Sequence, residues 1–378
     1  MEKFIMEKIK NFITSNKKAV SIIGGISLVA IIGVIILVIV NGRGGTTEEQ
    51  TQNPTEQTTL ENTAEETTKS QEKKTYSFLT GEPTAKKIAL RRPIAVMYNN
   101  VKEAIPQSGI GNADVIYEAP VEGSITRLMA IFEDYDNLDR IGSVRSSRLY
   151  YAHWAVEYDS IYCHYGQSAY ALDFLNSDMI NTLSGLDSIG TTVYYRTSDR
   201  AAPHNVFTSA SGIKAGISAK GYRTDYESSF DGRFRFAEFG KTVKLSDNFI
   251  ANNVNLGYSI NNPWFEYNKK TKTYARFQYG ASHIDDQTNE QLVCTNIIIQ
   301  FCDYELYPDG KSLSLGHIGS GLGMYITNGK GINITWKKDS ATAVTKYYNS
   351  DGDEITLNTG KTWICIVLTN NKGNVVIS

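Results

Sequence analysis

Histidine and cysteine are scarce in this chain, five and four among 378 residues, and neither falls at a spacing that holds a metal. His153, His164, His204, His283 and His317 form no H-E-x-x-H pattern and pair with no cysteine at zinc spacing. No metal centre is therefore expected. The run His283-Ile284-Asp285-Asp286 offers metal-type ligands but reads as the start of an exposed turn. Gly166-Gln167-Ser168-Ala169 lacks the second glycine of a nucleophile elbow. Cys163 and His164 are neighbours on a strand-like run, so they point to opposite faces and cannot pair. No Lys-Ser or Lys-Thr closes Gly319-Ser320-Gly321-Leu322-Gly323, and no helical pattern follows it, so it reads as a glycine turn rather than a phosphate loop. No cofactor fingerprint is present. Charge of one sign is also missing: 38 basic and 40 acidic side chains leave a formal charge of -2, which argues against nucleic acid as a partner and against a polybasic membrane clamp. Cys294 and Cys302 cannot bridge within one straight strand, since ~3.3 Å per residue puts them roughly 26 Å apart. Cys365 could meet either if their strands pair, but Cys163 and these three read first as small buried side chains.

What is present begins with a long apolar run. Val20 to Val40 carries no charge and at ~1.5 Å per residue spans roughly 30 Å, the core of a bilayer. Five lysines precede it (Lys3, Lys8, Lys10, Lys17, Lys18) and only Arg43 follows closely, so residues 1–19 are expected in the cytoplasm and the rest outside. The sequence thus predicts a single-pass protein of the cell membrane, its 20–40 helix acting as a signal anchor. Residues 41–76 are rich in Thr, Glu and Gln and nearly without apolar side chains, a composition that suits a flexible tether. The remaining 300 or so residues exceed the usual span of one core, so two domains are expected, at 77–240 and 241–378. The overall class is α+β: a membrane-anchored ectodomain with a mixed α/β N-terminal domain and a mainly antiparallel β C-terminal domain.

In the first domain Ile94–Met97, Val115–Glu118, Thr126–Phe132, Ile161–His164 and Thr192–Tyr195 read as strands, and Arg145–Tyr158, Ser168–Leu175 and Ser209–Lys220 as helices. In the second, Val293–Phe301, Ile332–Trp336 and Trp363–Thr369 read as strands, with hairpin turns at Asn328-Gly329 and Asp351-Gly352.

The stretch from Ala113 to Arg148 collects charge between these apolar runs. Glu118, Glu122 and Arg127 stand at strand ends, where a sheet delivers polar groups to one rim. Ser143 reads as the N-cap of a helix beside Arg145 and Arg148, an arrangement that suits an anion. With His164 at a strand-to-helix turn and Arg200 and His204 in a polar loop, the candidate ligand-binding set is Arg127, Arg145, Arg148, His164, Arg200 and His204. Tyr150, Tyr151, Trp154, Tyr158, Tyr162 and Tyr165 crowd the following segment, and amphipathic rings suit sugar faces.

The runs RRPIAVMYNN (Arg91–Asn100), IPQSGIGNADVIYEAPVEGSITRLMAIF (Ile105–Phe132), IGSVRSSR (Ile141–Arg148), APHNVF (Ala202–Phe207), FEYNKKTKTYAR (Phe265–Arg276) and SHIDDQTNEQLVCTNIIIQF (Ser282–Phe301) resemble the YerB-like family of bacterial envelope proteins, DUF3048. The resemblance spans nearly the whole ectodomain. It implies an envelope location and supplies no catalytic residue, because the family's function is unknown. The family's familiar members are lipoproteins; here no cysteine lies near the apolar run. Two functions remain. The first is a binding module for an anionic cell-wall polymer or an acidic envelope protein, through the Arg/His set. The second is an envelope hydrolase or transferase with Glu118 and Glu122 as acid and base.

Overall fold

The computed structural model describes residues 74–378. The Val20–Val40 run, the lysines before it and nearly all of the 41–76 tract lie outside the described residues. Among the described residues no helix is long and apolar enough to cross a membrane.

One large sheet organises the chain. Its strands, in chain order, are β1 (Ile94–Asn99), β2 (Val115–Pro120), β3 (Thr126–Phe132), β4 (Ile161–His164), β5 (Asn181–Ser184), β6 (Phe249–Ile250), then, after the two principal strands of a second sheet, β7 (Trp264–Asn268) and β8 (Thr273–Gln278), β9 (Asn296–Cys302), β10 (Gly319–Thr327), β11 (Lys330–Lys338), β12 (Lys346–Tyr348) and β13 (Thr362–Leu368). The order across the large sheet is β6-β11-β10-β9-β13-β2-β3-β1-β4-β5, with β12 also on β11. β1 to β4, β9 and β13 are buried on both faces, which is why they read as unbroken apolar runs rather than as alternating ones.

The composition changes at residue 240, yet hydrogen bonding runs across that point. β13, near the C-terminus, pairs in parallel with β9 on one side and with β2 on the other. Because β3 runs antiparallel to both β2 and β1, and β1 is parallel to β4, which is parallel to β5, six strands point the same way. Their carboxyl ends form one rim.

Each face of the sheet carries a layer. On one face lies helix α1 (Leu149–Val156), whose Tyr151, Trp154 and Ala155 pack on Met97, Tyr117, Met129 and Ile366. The other face takes helix α2 (Ala210–Lys220), capped by the Ser209 hydroxyl on the Gly212 N–H at 3.1 Å, and the second sheet built on β7 and β8. Each large apolar side chain sealed in these layers contributes about 1.5–3 kcal/mol.

Several local readings need correction. Thr192–Tyr195 is split between a helical turn at Gly190–Val193 and a strand beginning at Tyr194. The glycine run at 319–323 is the start of β10 rather than a turn. Its glycines permit close approach: a Cβ on Gly321 would stand 2.7 Å from the Trp336 indole, and one on Gly323 2.5 Å from the Ile299 carbonyl. Asn328-Gly329 does form the β10–β11 turn, both residues having positive φ. All four cysteines are buried free thiols. His283 and Asp285 are buried rather than in an exposed turn, and Asp285 accepts the Gly111 N–H at 2.7 Å.

A histidine pair ties α1 to the hairpin strand Leu313–Leu315. His317 Nδ1–H donates to the Leu315 carbonyl at 2.8 Å, which leaves its Nε2 to accept from His153 Nδ1, also at 2.8 Å. Burial lowers His153 to about 3 and His317 to about 4, each with help from Lys338. Unfolded histidine titrates near ~6.5, so below that pH the unfolded chain binds protons that the folded pair refuses, and stability falls as the pH drops towards 4. Urea unfolding at pH 7.5 and pH 5.0 should show a loss on the order of 2 kcal/mol for each histidine, roughly 4 kcal/mol for the pair. In a His153→Phe, His317→Leu variant that part of the loss should be absent.

Candidate functional site

The carboxyl-end rim is where strands β1 and β4 come apart. They pair over Ile94–Val96 and Ile161–Cys163, and beyond that the segment Ser143–Arg148 enters the gap. The Arg145 N–H donates to Met97 O at 3.0 Å, the Tyr165 N–H to Arg145 O at 3.1 Å, and the Ser147 N–H to Gly166 O at 2.9 Å. With its backbone groups engaged on both sides, this segment is extended and cannot open a helix. Ser143 is therefore not an N-cap; α1 begins only at Leu149, and Arg148 occupies the cap position.

Strand alternation sets which side chains meet at this rim. Arg127 opens β3 opposite Asn99 of β1 and Ala119 of β2, on the same face as Met129 and the helix layer. It is 6% exposed. Its Nη1 donates to Ser146 O at 2.7 Å, and its backbone carbonyl accepts the Tyr151 hydroxyl at 2.5 Å. Arg145 donates to Pro203 O at 3.2 Å. Arg148 is held by Glu122, its Nε lying 2.7 and 3.0 Å from the two carboxylate oxygens while Nη2 contacts Oε2.

Charge here is unbalanced: three guanidiniums face one carboxylate. Burial, then the charges of Arg148 and Arg145, lower Arg127 to about 10. Burial and Arg148 also lower Arg145. Burial opposes the Arg148 charge as well, but Glu122 more than offsets it and leaves Arg148 raised. Neither Arg127 nor Arg145 has a carboxylate partner among the described residues. Native interiors leave few polar atoms unpaired, and here five are buried without one: Arg127 Nε, Arg145 Nε, Ser143 Oγ, His164 Nε2 and Gln167 Oε1. Chemically, such a rim can donate charge-assisted hydrogen bonds to an oxyanion.

His164 ends β4. Its Nδ1 lies 2.9 Å from the Gly166 carbonyl and burial lowers it to about 4, so it is neutral with an unshared Nε2 lone pair. His204 Nδ1 accepts from the Asn99 side-chain amide at 2.7 Å; burial and the Arg145 charge lower its pKa. Arg200 differs from expectation. Its guanidinium donates to Ala104 O at 2.7 Å and Pro106 O at 2.5 Å, with Asp286 at 4.0 Å, so it straps down a loop instead of facing a ligand.

The two glutamates do not form an acid–base pair. Glu118 points to the opposite face of β2, is 0% exposed, and meets Arg276 at 2.5 Å, Asn261 at 2.8 Å, Thr126 at 2.9 Å and Asn100 at 3.3 Å. Sealed there, it cannot reach a substrate. Glu122 is a quarter exposed but tied to Arg148; burial would raise its pKa, and the Arg148 hydrogen bonds and charge hold it below the usual range, the reverse of what a general acid needs. The expected sugar-facing rings are also buried, apart from the half-buried Tyr165: Tyr150 donates to Pro120 O at 2.7 Å, and Tyr162 to Ser147 Oγ at 2.8 Å, so they brace the rim from beneath. Asn99 and Gln167 also lie at this rim and fall outside the expected set, and Ser143 stands there in a role other than the helix cap expected of it. Asn99-Asn100 directly after an apolar strand was the one available signal.

The two kinds of buried arginine should behave oppositely. Arg276→Met leaves the Glu118 charge sealed and unpaired and should cost about 3–5 kcal/mol in urea unfolding. Arg127→Met removes a desolvated charge with no carboxylate of its own, so it should leave stability unchanged or raise it by about 1 kcal/mol.

Comparison with known proteins places this architecture. Two family models match: the N-terminal domain of the protein of unknown function DUF3048 over residues 79–223, and its C-terminal domain over residues 254–364. A Bacillus subtilis (strain 168) protein named "Putative lipoprotein YerB" is 32% identical over 302 residues, 78% of this chain and 87% of that protein. The crystal structure of the YerB protein from Bacillus subtilis superposes with a TM-score of 0.70 at 31% identity, covering 81% of this chain and all of that one.

Proposed function

This chain belongs to the DUF3048 family, whose function is unknown, and on that premise we propose that it is a membrane-anchored envelope protein that binds an anionic cell-wall polymer. The rim of Arg127, Arg145 and Arg148 is the binding surface. One observation carries this reading: two guanidiniums without carboxylate partners, whose buried Nε atoms, together with Ser143 Oγ, His164 Nε2 and Gln167 Oε1, find no hydrogen-bond partner among the described residues. Desolvating unpaired charge costs free energy that folding does not repay, so the cost is offset when a ligand supplies the missing oxygens. The Val20–Val40 run would hold the protein at the membrane, and the tract after it would give the domain reach into the wall. Neutral His164 and His204, with Asn99 between β3 and β4, would orient the polymer by hydrogen bonds.

The test uses the full-length protein in detergent and isolated cell-wall sacculi, with their anionic polymers either retained or removed. The protein should sediment with the first and not with the second, and Arg127→Met with Arg145→Ala should weaken sedimentation at least tenfold. Equal sedimentation with stripped sacculi, or of the variant, would contradict the proposal. Capture of an acidic membrane protein in place of the polymer would also count against it.

A further inference from the structure

The same rim carries a cavity that reaches the Glu122–Arg148 pair. It has a volume of about 270 Å³ and opens between the β2–β3 turn and the hairpin of Tyr304–Leu306 with Leu313–Leu315. Its floor is the ends of β2 and β13, at Pro120 and Leu368, and the start of β3 at Thr126. Glu122 belongs to both places: it lines the cavity, and its carboxylate oxygens hold Arg148. A ligand whose anion sits on Arg127 and Arg145 would therefore cross the Glu122–Arg148 pair and place its adjoining group in the cavity.

The lining says what that group is. Ser124, Ser259 and Asn371 supply hydroxyl and amide groups, and Lys311 an ammonium. Tyr304 and Leu306 are 39% and 53% exposed, unburied apolar surface on a rigid hairpin. Hydroxyl and amide partners next to an exposed aromatic ring match a sugar, which has polar edges and an apolar face. The volume lies just below the ~300–1,000 Å³ of most small-molecule pockets, which suits one ring rather than a long chain. Gly123, which lines the cavity next to Glu122, has φ +72° with open space where a Cβ would stand.

We infer that the site recognises a saccharide carrying an oxyanion, the charge on Arg127 and Arg145 and the sugar ring in the cavity lined by Tyr304, Leu306 and Glu122. This rests on the anion-binding reading of the rim and goes beyond it by assigning the ring a place. Arg148 already spends a planar bidentate contact on Glu122, whereas Arg127, Arg145 and the Ser143 hydroxyl come from separate positions on the rim. Such a set suits a tetrahedral phosphate better than a planar carboxylate.

Calorimetric titration of the full-length protein in detergent with inorganic phosphate, glucose 1-phosphate, glucuronate and glucose tests this. Glucose 1-phosphate should bind at least tenfold tighter than inorganic phosphate, and glucose should not bind measurably. Tyr304→Ala, on an exposed hairpin, should bring glucose 1-phosphate down to the affinity of inorganic phosphate while leaving the latter within twofold. Tighter binding of glucuronate would overturn the phosphate assignment. Equal affinity for phosphate and its sugar ester, with phosphate binding lost in Arg145→Ala, would overturn the saccharide site and keep the anion rim. Phosphate binding unaffected by Arg145→Ala would overturn both.

Discussion

The parallel pairing of β13 between β9 and β2 is the constraint on which the rest depends. It draws a strand from near the end of the chain into the middle of the sheet, so both halves share one hydrogen-bonded plane and neither has a free edge at their junction. It also fixes the direction of six strands, and direction decides which polar groups meet, because the ends of parallel strands collect at one rim. Asn99, Pro120, His164 and Leu368 are such ends, and Arg127 enters at the same level on the one antiparallel strand among them.

The protein buries arginines in two ways, with a carboxylate partner and without one. Arg276 of β8 crosses between the sheets to Glu118, with Phe265 and Trp363 each 4.8 Å from the guanidinium. Nearly all of its needs are met inside the chain. A second buried set, Glu157 with Lys338 and Arg233, locks the end of α1 to the C-terminal half. Arg127 is almost as deeply placed, yet it finds one carbonyl and two like charges. In the first two arrangements each buried guanidinium has a carboxylate partner; in the third it has none among the described residues.

Much of this was legible in the sequence. Thr126–Phe132 and Ile161–His164 were readable to the residue, because a strand buried on both faces is an apolar run with polar residues at its ends. The arginines were readable as a group for the same reason. Which carboxylate reaches the rim was not. Glu118 and Glu122 look alike in sequence, but alternation on β2 turns Glu118 toward Arg276, a partner 158 residues away. The Ser143 segment was misread because its N–H groups are taken by β1 and the loop after β4, contacts that no local pattern encodes. Arg200 resembled a ligand contact because its neighbours are polar, yet its partners are backbone carbonyls, which every sequence has.

The central claim is that the rim holds uncompensated positive charge awaiting an anion. Its most direct test is the thermal midpoint of the protein against inorganic phosphate at constant ionic strength, with Arg127→Met alongside. Binding to the folded state alone raises the midpoint with ligand concentration. The midpoint should rise with phosphate over matched chloride in the natural protein and stay flat in Arg127→Met. Equal responses in both proteins, or none in either, would contradict it.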